Sequence, residues 1–530
     1  MHSQPGGPVK FAPVRRFWYT RGEMKKPPPL LLPRLALALV IAAYVALAVA
    51  SSFADRLGWA PDEPAHFIYI REIGSGFRLP GLAHQVTPAI FTADGREVHI
   101  SHEAHQPPLY YVLAAVPYFA ATSLGAGTDT VWRILRLFTV LFGVGWVYVL
   151  YRLSREFLGR NRYAAVLAAA CVALLPSSTY IGGVVNNDAL TALVVTTALW
   201  LILRSLRRGK ISRRAGLEIG IVSGLAMLTK AQGVFLPAVA AAAGLLIAGR
   251  KDWRTSVPTL TNTAIAILTA LAVSSIWFVR NWYVFGSPVI QSLYNPVLAR
   301  SVLHVLIITD QLFKYFWTPF WLIRQFVNDA TYAVAILCFC AVVLVGLVAH
   351  FMACRRTGAG EIVCRFDAWL VLALPGILTY VSLIRHILLV DKLALSQGRL
   401  LLPAAGLFGI AVVVGLGALV RRPRLRSALG VLLVLGLIVA NLVVLRAVVA
   451  YNRIYRPPPE MSLEDMKGRL EGYASAPCSY CCSSPAPDAR LGSVTVNVLP
   501  SPSLVSTATV PPCSSTISLT MESPRPVPPS

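Results

Sequence analysis

Apolar runs long enough to cross a lipid bilayer recur along most of the chain and constrain its fold more than any other feature. A spanning helix needs about 20 mostly apolar residues. The composition agrees, because 56% of the 530 residues are hydrophobic and only 14% are charged. The sequence therefore predicts an all-α polytopic membrane protein with about 11 transmembrane helices, and ordinary soluble domains are excluded. The predicted spans are 31–53, 131–151, 163–184, 188–206, 215–229, 232–249, 258–279, 331–353, 366–386, 399–420 and 427–450.

The positive charge is distributed in a way that predicts the orientation of the chain. Lys and Arg number 48 against 24 Asp and Glu, so the net charge is +24. A nucleic-acid binder would gather these residues on one soluble domain, and nucleic acid is therefore excluded as a partner. Instead they occupy every second loop, at 1–30, 152–162, 204–214, 250–254, 355–365 and 421–426. The positive-inside rule predicts a multi-pass protein of the cell inner or plasma membrane, with a basic cytoplasmic N-terminal segment and an extracytoplasmic C-terminus.

Two long loops between the predicted spans are expected on the extracytoplasmic side. They are a large first loop, 54–130, and a second outer loop, 280–330. An apolar run inside the first loop begins at Leu109 after two prolines, and counting it as a span would move every later basic loop outside. We therefore predict an interfacial helix there. The transmembrane domain is predicted to cover 31–456, and the Pro/Ser-rich residues 457–530 are predicted to be a disordered extracytoplasmic tail.

Ionisable residues are concentrated in the first outer loop. Five of the nine histidines lie there, namely His66, His84, His99, His102 and His105. They are accompanied by the carboxylates of Asp62, Glu63, Glu72, Asp94, Glu97 and Glu103. Polar groups that converge at the outer face of a membrane indicate a site more readily than a packing role.

The sequence around Asp62 and Glu63 has two interpretations. Apolar residues recur at helical spacing after these carboxylates, so Asp62 stands at the start of an amphipathic helix. Asp, Glu and Pro are favoured at a helix start, and the pair could serve only as a cap. A carboxylate fixed next to a transmembrane helix is also well placed to accept a proton from a substrate. The residues alone leave both interpretations open.

A divalent metal is an alternative for the histidines of this loop. His102, Glu103 and His105 could coordinate zinc or manganese together with Asp62 or His66, because imidazole and carboxylate suit these ions. The spacing matches no tight motif such as His-Glu-x-x-His. Solvated histidines that hydrogen-bond the substrate are the other interpretation. We therefore assign no metal ligands and no required cofactor from the sequence.

A series of motifs between residues 30 and 450 resembles a known group of enzymes. The motifs are Pro61-Asp62-Glu63-Pro64-Ala65-His66-Phe67, His105-Gln106-Pro107-Pro108-Leu109-Tyr110-Tyr111, Asn186-Asn187-Asp188-Ala189-Leu190, Leu228-Thr229-Lys230, Arg280-Asn281-Trp282 and Gln397-Gly398-Arg399 with Pro403. Their order and topological placement resemble the GT-C superfamily of integral membrane glycosyltransferases, which includes protein O-mannosyltransferases and lipid A aminoarabinose transferases. A bacterial branch of predicted membrane proteins is the most similar. Gln106 stands where the aminoarabinose transferases have a lysine.

The resemblance implies a polyprenyl-phosphate-linked sugar donor and an extracytoplasmic acceptor, which is a cell-envelope glycan, a lipid or a protein. It implies that Asp62 is the general base and that Glu63 is a second catalytic residue, both in a catalytic loop, 54–130. Departure of a phosphate from the sugar also requires cations at the outer face. By topology these are Arg399, Arg280 and Lys230, although snorkelling to the membrane interface also accounts for such residues. The remaining candidates for substrate binding are His66, His102, His105, Gln106 and Asp188.

Two other functional classes remain alternatives. One is a transporter or flippase of lipid-linked envelope intermediates, and the other is a non-catalytic assembly subunit. A transporter favours inverted repeats and broken spans with charges near mid-membrane, and the sequence shows neither clearly. It also contains no phosphate-binding Gly-x-x-x-x-Gly-Lys-[Ser/Thr] loop. The identities of the sugar and the acceptor cannot be inferred from these residues.

Overall fold

The computed structural model describes residues 31–454 apart from some short segments and single positions. These are 77–78, 80–88, 92–96, 100–102, 104, 160, 251, 287, 289–301, 320–328, 358–359, 391–396 and 421. The predicted N-terminal segment, 1–30, and the predicted tail, 457–530, lie outside the described residues, as does part of the second outer loop.

Helices dominate the described residues. The first eight are α1 (Leu31–Ala54), α2 (Glu63–Gly76), α3 (Leu109–Ser123), α4 (Thr128–Leu158), α5 (Arg162–Ala173), α6 (Pro176–Gly182), α7 (Asp188–Arg208) and α8 (Arg213–Met227). They are followed by α9 (Leu236–Ala248), α10 (Trp253–Phe285), α11 (Val302–Trp317), α12 (Asp329–Thr357), α13 (Phe366–Val390), α14 (Gly406–Leu419) and α15 (Pro423–Ile454). Short 3₁₀ helices form at Ala231–Phe235, Ile362–Cys364 and Gly398–Ala404.

Most of the predicted spans coincide with helices that can cross a membrane. Eight described helices are long and apolar enough, and two bent pairs raise the number to ten. The remaining predicted span, 215–229, coincides with α8, whose 15 residues extend for only about 22 Å at 1.5 Å per residue. That length is shorter than a hydrocarbon core of about 30 Å. The protein is therefore a multi-pass membrane protein, and the total of eleven spans stays a prediction.

Both bent pairs contain a proline at or near the break. Helices α5 and α6 meet at 69°, and Pro176 is the first residue of α6. The 3₁₀ helix Gly398–Ala404 meets α14 at 76° and contains Pro403. Proline lacks a backbone N–H and its ring clashes with the preceding turn, which favours a kink or a break at these positions.

The predicted interfacial segment forms helix α3, which packs against α2 and α4. Its 15 residues are apolar but form too short a helix to count as a span. Its position at the membrane interface stays a prediction. Part of the first outer loop, 54–130, also forms an antiparallel pair of short strands, β1 (Ala89–Phe91) and β2 (Glu97–His99), in which Ala89 pairs with His99.

The basic loops and the candidate site residues lie at opposite ends of the helix bundle. Glu156 forms an ion pair with Arg207, and Arg365 donates a hydrogen bond to the Leu206 carbonyl. Asp367 pairs with both Arg250 and Arg365. Four of the predicted cytoplasmic loops therefore meet near the last turn of α7. The first residue of α7 is Asp188, about 30 Å away along a helix of 21 residues.

Candidate active site

The backbone at Asp62 separates two neighbouring carboxylates. Asp62 has φ of 63° and is the non-glycine residue with positive φ among those that the structure describes. Aspartate enters this left-handed region more readily than most residues, yet the conformation costs on the order of 1 kcal/mol. The Asp62 carbonyl accepts the helical hydrogen bond of the His66 N–H at 3.1 Å. The residue therefore begins α2 through its backbone, and its side chain engages a distant segment.

That distant segment is the 3₁₀ helix that carries Arg399. Arg399 Nη2 donates to Asp62 Oδ2 at 2.5 Å, and Nη1 lies 3.3 Å from Asp188 Oδ2. Arg399 Nε donates to Gln397 Oε1 at 2.5 Å. The guanidinium is only 9% exposed and links two carboxylates from separate parts of the chain.

Lys230 approaches Asp188 from the opposite side. Its ammonium forms an ion pair with Asp188 Oδ1 and lies 3.1 Å from Asn187 Oδ1. Asp62, Arg399, Asp188 and Lys230 thus form a continuous series of alternating charges, which we call the charge chain. Two carboxylates balance two cations, so the charge chain is neutral as a unit. This balance allows four ionised groups to remain largely buried.

His66 lies on α2 one turn beyond Asp62 and is almost fully buried. Its Nδ1 is 2.9 Å from Tyr111 Oη and 3.9 Å from Glu103 Oε2. Burial lowers the pKa of the imidazole below its usual value, while the charges of Glu103 and Asp62 act in the opposite direction. The net direction favours a neutral imidazole near pH 7, which can accept or donate a hydrogen bond.

Gln106 and His105 border the charge chain through the turn before α7. Asn187 Nδ2 donates to Gln106 Oε1 at 3.4 Å and to the Thr229 carbonyl at 3.3 Å. Gln106 Nε2 lies 3.2 Å from His105 Nε2. The structure therefore brings five of the six sequence motifs together around Asp62 and Asp188.

The other two predicted binding residues are placed differently. Arg280 lies near the C-terminal end of α10, where its guanidinium packs 5.1 Å from the centre of the Trp277 ring and donates to Asn281 Oδ1 at 3.0 Å. The positive charge of Arg280 interacts with Tyr69 of α2, so Arg280 lies near the helix that begins at Glu63. His102 lies outside the described residues.

Glu63 occupies an environment unlike that of Asp62. Both of its oxygens accept hydrogen bonds from Arg136, with Nε at 2.7 Å and Nη2 at 2.6 Å. The backbone N–H groups of Gly58 and Val185 donate to the same carboxylate at 3.0 Å. Both charged side chains are 0% exposed. A carboxylate with these partners is satisfied by the protein itself, which favours a positioning role for Glu63.

Arg136 also binds the segment that leads to Asp62. Its guanidinium donates to the carbonyl oxygens of Ser52, Asp55 and Arg56 at 2.6 to 2.9 Å. Arg136 was not among the residues predicted from the sequence. A signal was available, because an arginine inside the apolar run 131–151 is costly unless it has a specific partner.

Asp55 is a second buried carboxylate in this segment. Tyr180 Oη donates to its Oδ2 at 2.6 Å, and the backbone N–H of Arg56 donates to Oδ1 at 2.9 Å. Burial raises the pKa of Asp55 to about 6, although the charge of Arg136 opposes that shift. Asp55 therefore links the end of α1 to α6.

The metal alternative for the outer loop gains no support from the described residues. Within that part of the chain, one group of His, Cys and carboxylate ligands is close enough to hold an ion, and it consists of His350, Cys354 and Cys364. These residues lie at the end of the bundle that carries the basic loops.

Part of the chain matches a family of membrane enzymes. Residues 108–277 match the family model described as dolichyl-phosphate-mannose-protein mannosyltransferase. The match agrees with the resemblance described from the sequence over the part of the chain that it covers. That part includes Arg136, Asp188 and Lys230 and excludes Asp62 and Arg399, whose assignment depends on the geometry described above. A comparison with curated proteins gave no match.

Several solved membrane glycosyltransferases are similar to this chain at low identity. ArnT from Cupriavidus metallidurans bound to undecaprenyl phosphate is 16% identical, with a TM-score of 0.45, over 89% of this chain and 85% of that one. The archaeal oligosaccharyltransferase AglB from Archaeoglobus fulgidus, in complex with an inhibitory peptide and a dolichol-phosphate, is 14% identical, with a TM-score of 0.46, over 88% and 62%. The arabinosyltransferase EmbB from Mycobacterium smegmatis is 14% identical, with a TM-score of 0.37, over 90% and 46%. Because these TM-scores lie below 0.5, no residue role is transferred from those proteins to this chain.

Proposed function

We propose that this protein is a GT-C-type glycosyltransferase that moves a sugar from a polyprenyl-phosphate carrier to an extracytoplasmic acceptor. The observation that carries the proposal is the charge chain, which holds two carboxylates and two cations at the end of the bundle away from the basic loops. The family match over residues 108–277 supports the same class of reaction.

The proposed reaction needs a base for the acceptor. Asp62 accepts the proton of the acceptor hydroxyl or amine while that atom forms a bond to the anomeric carbon of the sugar. Asp62 is the more exposed of the two carboxylates in the charge chain, with 15% of its side chain accessible against 3% for Asp188. Arg399 holds Oδ2 at 2.5 Å and so fixes the direction in which the carboxylate points.

The same reaction needs cations for the leaving group. The bond between the anomeric carbon and the phosphate oxygen breaks, and its electrons remain on the isoprenoid phosphate. Arg399 and Lys230 contact the same carboxylate, that of Asp188, so their charges can act together on one phosphate. Because they are already compensated by carboxylates, the phosphate must take over part of these contacts as it binds. The guanidinium can then donate two parallel hydrogen bonds to the phosphate, and the ammonium provides a point charge.

We propose the remaining site residues and the orientation as parts of this function. His66, His105 and Gln106 surround the charge chain and would contact the sugar or the acceptor, and Arg280 approaches the outer elements from α10. His102 remains a candidate for the same role. Loop 54–130 is the catalytic loop on the extracytoplasmic face, with the N-terminus in the cytoplasm and the C-terminus outside.

Donor consumption by the purified protein tests the proposal. The full chain is placed in lipid nanodiscs with isoprenoid-phosphate sugars of several carrier lengths and a cell-envelope lipid extract as acceptor. Release of free isoprenoid phosphate is then measured by mass spectrometry. We expect release that depends on acceptor and is lost in Asp62→Asn. Movement of intact donor across the bilayer of proteoliposomes without release of phosphate would instead establish the transporter alternative.

A further inference from the structure

A cluster of metal-ligating side chains lies at the opposite end of the bundle from the charge chain. His350 and Cys354 are four residues apart on α12, so both side chains lie on the same helix face. Cys364 ends the 3₁₀ helix Ile362–Cys364, which precedes α13. One ligand atom from each of the three residues lies within 4.8 Å of the others. The cluster thus joins two segments on either side of the short loop after α12.

The surroundings of the cluster hold the imidazole in a fixed position. His350 is fully buried, and its Nε2 lies 3.4 Å from Cys354 Sγ and 3.1 Å from the Val363 carbonyl oxygen. That carbonyl also accepts a hydrogen bond from Trp369 Nε1 at 2.8 Å. Nε2 is therefore the ring nitrogen that faces the Cys354 sulfur, and as a ligand it would exchange its contact with the Val363 carbonyl for a bond to the metal.

The two cysteines form a disulfide in this structure, with their Cα atoms 5.6 Å apart. The same pair at the same backbone separation can exist as two thiols. Arg355, Arg356 and Arg365 flank the cluster, and the positive-inside rule assigns such a loop to the cytoplasm. Small dithiols and glutathione keep cytoplasmic cysteines reduced. The location therefore favours the thiol form in the cell.

We propose that His350, Cys354 and Cys364 bind one Zn²⁺ ion on the cytoplasmic side of the membrane. A cytoplasmic dithiol reduces the Cys354–Cys364 bond and becomes a disulfide itself. The two resulting thiols each lose a proton as they bind the ion, and the neutral imidazole contributes its lone pair. Two thiolates and an imidazole are ligands that Zn²⁺ prefers, and water completes the tetrahedron. The bound ion would fix the C-terminal end of α12 to the segment that begins α13.

Metal content of the full-length protein tests this proposal. The protein is purified in detergent without chelators under a dithiol reductant, and bound metals are measured by mass spectrometry. We expect about one zinc per chain in the wild type and a loss of at least about tenfold in Cys364→Ser and His350→Asn, because fewer than three ligands hold zinc weakly. Cys338→Ser is the control, since Cys338 is a free, exposed cysteine of the same helix. Equal zinc in Cys364→Ser and Cys338→Ser would overturn the proposal.

Two measurements on the wild type keep the test independent of variants that fail to fold. Cobalt that replaces zinc at a site with thiolate ligands gives an intense sulfur-to-metal absorption band. We expect that band in the reduced, cobalt-loaded protein, and its absence contradicts the proposal.

The second measurement is made on cells. Intact cells are treated with a membrane-permeant alkylating agent before lysis. Alkylated Cys354 and Cys364 agree with the proposal, whereas a disulfide between them in most chains rules it out.

Discussion

Two adjacent carboxylates, Asp62 and Glu63, have opposite environments because the backbone turns sharply between them. The positive φ of Asp62 directs its side chain toward Arg399, while the side chain of Glu63 enters the bundle and meets Arg136. A proton acceptor needs an accessible oxygen, which Asp62 has and Glu63 lacks. In the proposed function the chemistry therefore belongs to Asp62, and we propose that Glu63 with Arg136 positions the turn that carries it.

Glu63→Gln should strongly destabilise the protein. The change leaves Arg136 as a buried cation without its counter-ion, and breaking a buried ion pair costs about 3 to 5 kcal/mol. We expect a clear fall in the thermal unfolding temperature in detergent. Glu218→Gln is the matched control, because Glu218 pairs with Arg214 at the surface, where such pairs contribute about 1 kcal/mol or less. If the unfolding temperature of Glu63→Gln protein equals that of the wild type, the Glu63–Arg136 pair does not stabilise this turn.

Arg399→Ala should reduce transfer more than Arg399→Lys does. Arg399 contacts both Asp62 and Asp188, and loss of a donor that stabilises a leaving phosphate costs about 2 to 4 kcal/mol in the transition state. Lysine keeps the charge but lacks the planar fork, so it should recover only part of that loss. Single-turnover transfer from a purified isoprenoid-phosphate sugar measures the difference. Unchanged donor affinity and rate in Arg399→Ala would return Arg399 to a role at the membrane interface.

At the scale of the elements, proline breaks and one glycine bring distant motifs together. Gly398 lies directly against α11, and a Cβ atom at this position would be 2.1 Å from the Phe316 backbone nitrogen. Only glycine allows the 3₁₀ helix of Arg399 to approach α11 this closely. The position of Arg399 therefore depends on a contact with a helix that carries none of the charge chain.

Gly398→Ala should lower both stability and transfer. The added methyl group must displace the 3₁₀ helix from α11, because the atoms it meets belong to the backbone. Overpacking of this kind typically costs about 1 to 3 kcal/mol, and movement of Arg399 adds a loss of rate. Gly436→Ala on α15 is the control, since a Cβ there meets nothing within 4 Å. A Gly398→Ala protein with wild-type unfolding temperature and rate would show that the close packing does not matter.

The sequence predicted which segments form helices more successfully than it predicted where the helices bend and which charged side chains meet. Apolar runs of spanning length identified nearly every long helix, because burial in lipid requires such runs. Hydropathy contains no information about the bends at Pro176 and Pro403 or about the partner of a charged residue. The pairing of Asp188 with Lys230 and Arg399, and of Glu63 with Arg136, depends on tertiary contacts between segments far apart in the chain. These contacts could not be inferred from local patterns.

At the scale of the whole molecule, the bundle separates two groups of charges. The charge chain lies at one end of α7, and the ion pairs among the basic loops lie at the other end, about 30 Å away. A membrane-spanning arrangement accounts for the apolar helices that connect these two ends. In the proposed function, the lipid-linked substrate binds at one face while the basic loops contact the opposite face.

Cysteine labelling should place the two ends on opposite sides of the membrane. Asp129 is exposed at the start of α4, and Arg254 is exposed in a basic loop at the start of α10. We expect Asp129→Cys to react with a membrane-impermeant maleimide in intact cells, and Arg254→Cys to react only after the membrane is opened. Mass spectrometry of the labelled peptides separates these sites from the native cysteines. If Arg254→Cys alone is labelled in intact cells, the orientation of the chain is the reverse of the predicted one.

In the proposed reaction Asp62 accepts the proton of the acceptor during sugar transfer, and Asp62→Asn removes that capacity. Asparagine tolerates the left-handed backbone and keeps the shape of the side chain, so the protein should fold and bind its donor. The amide cannot accept the proton, and loss of a general base typically slows a reaction by about 10² to 10⁴. The measurement is single-turnover transfer beside donor binding, with Asp129→Asn as the control. We predict a loss of rate of that size with donor affinity within a few-fold of wild type, whereas wild-type turnover in folded Asp62→Asn protein would contradict the account.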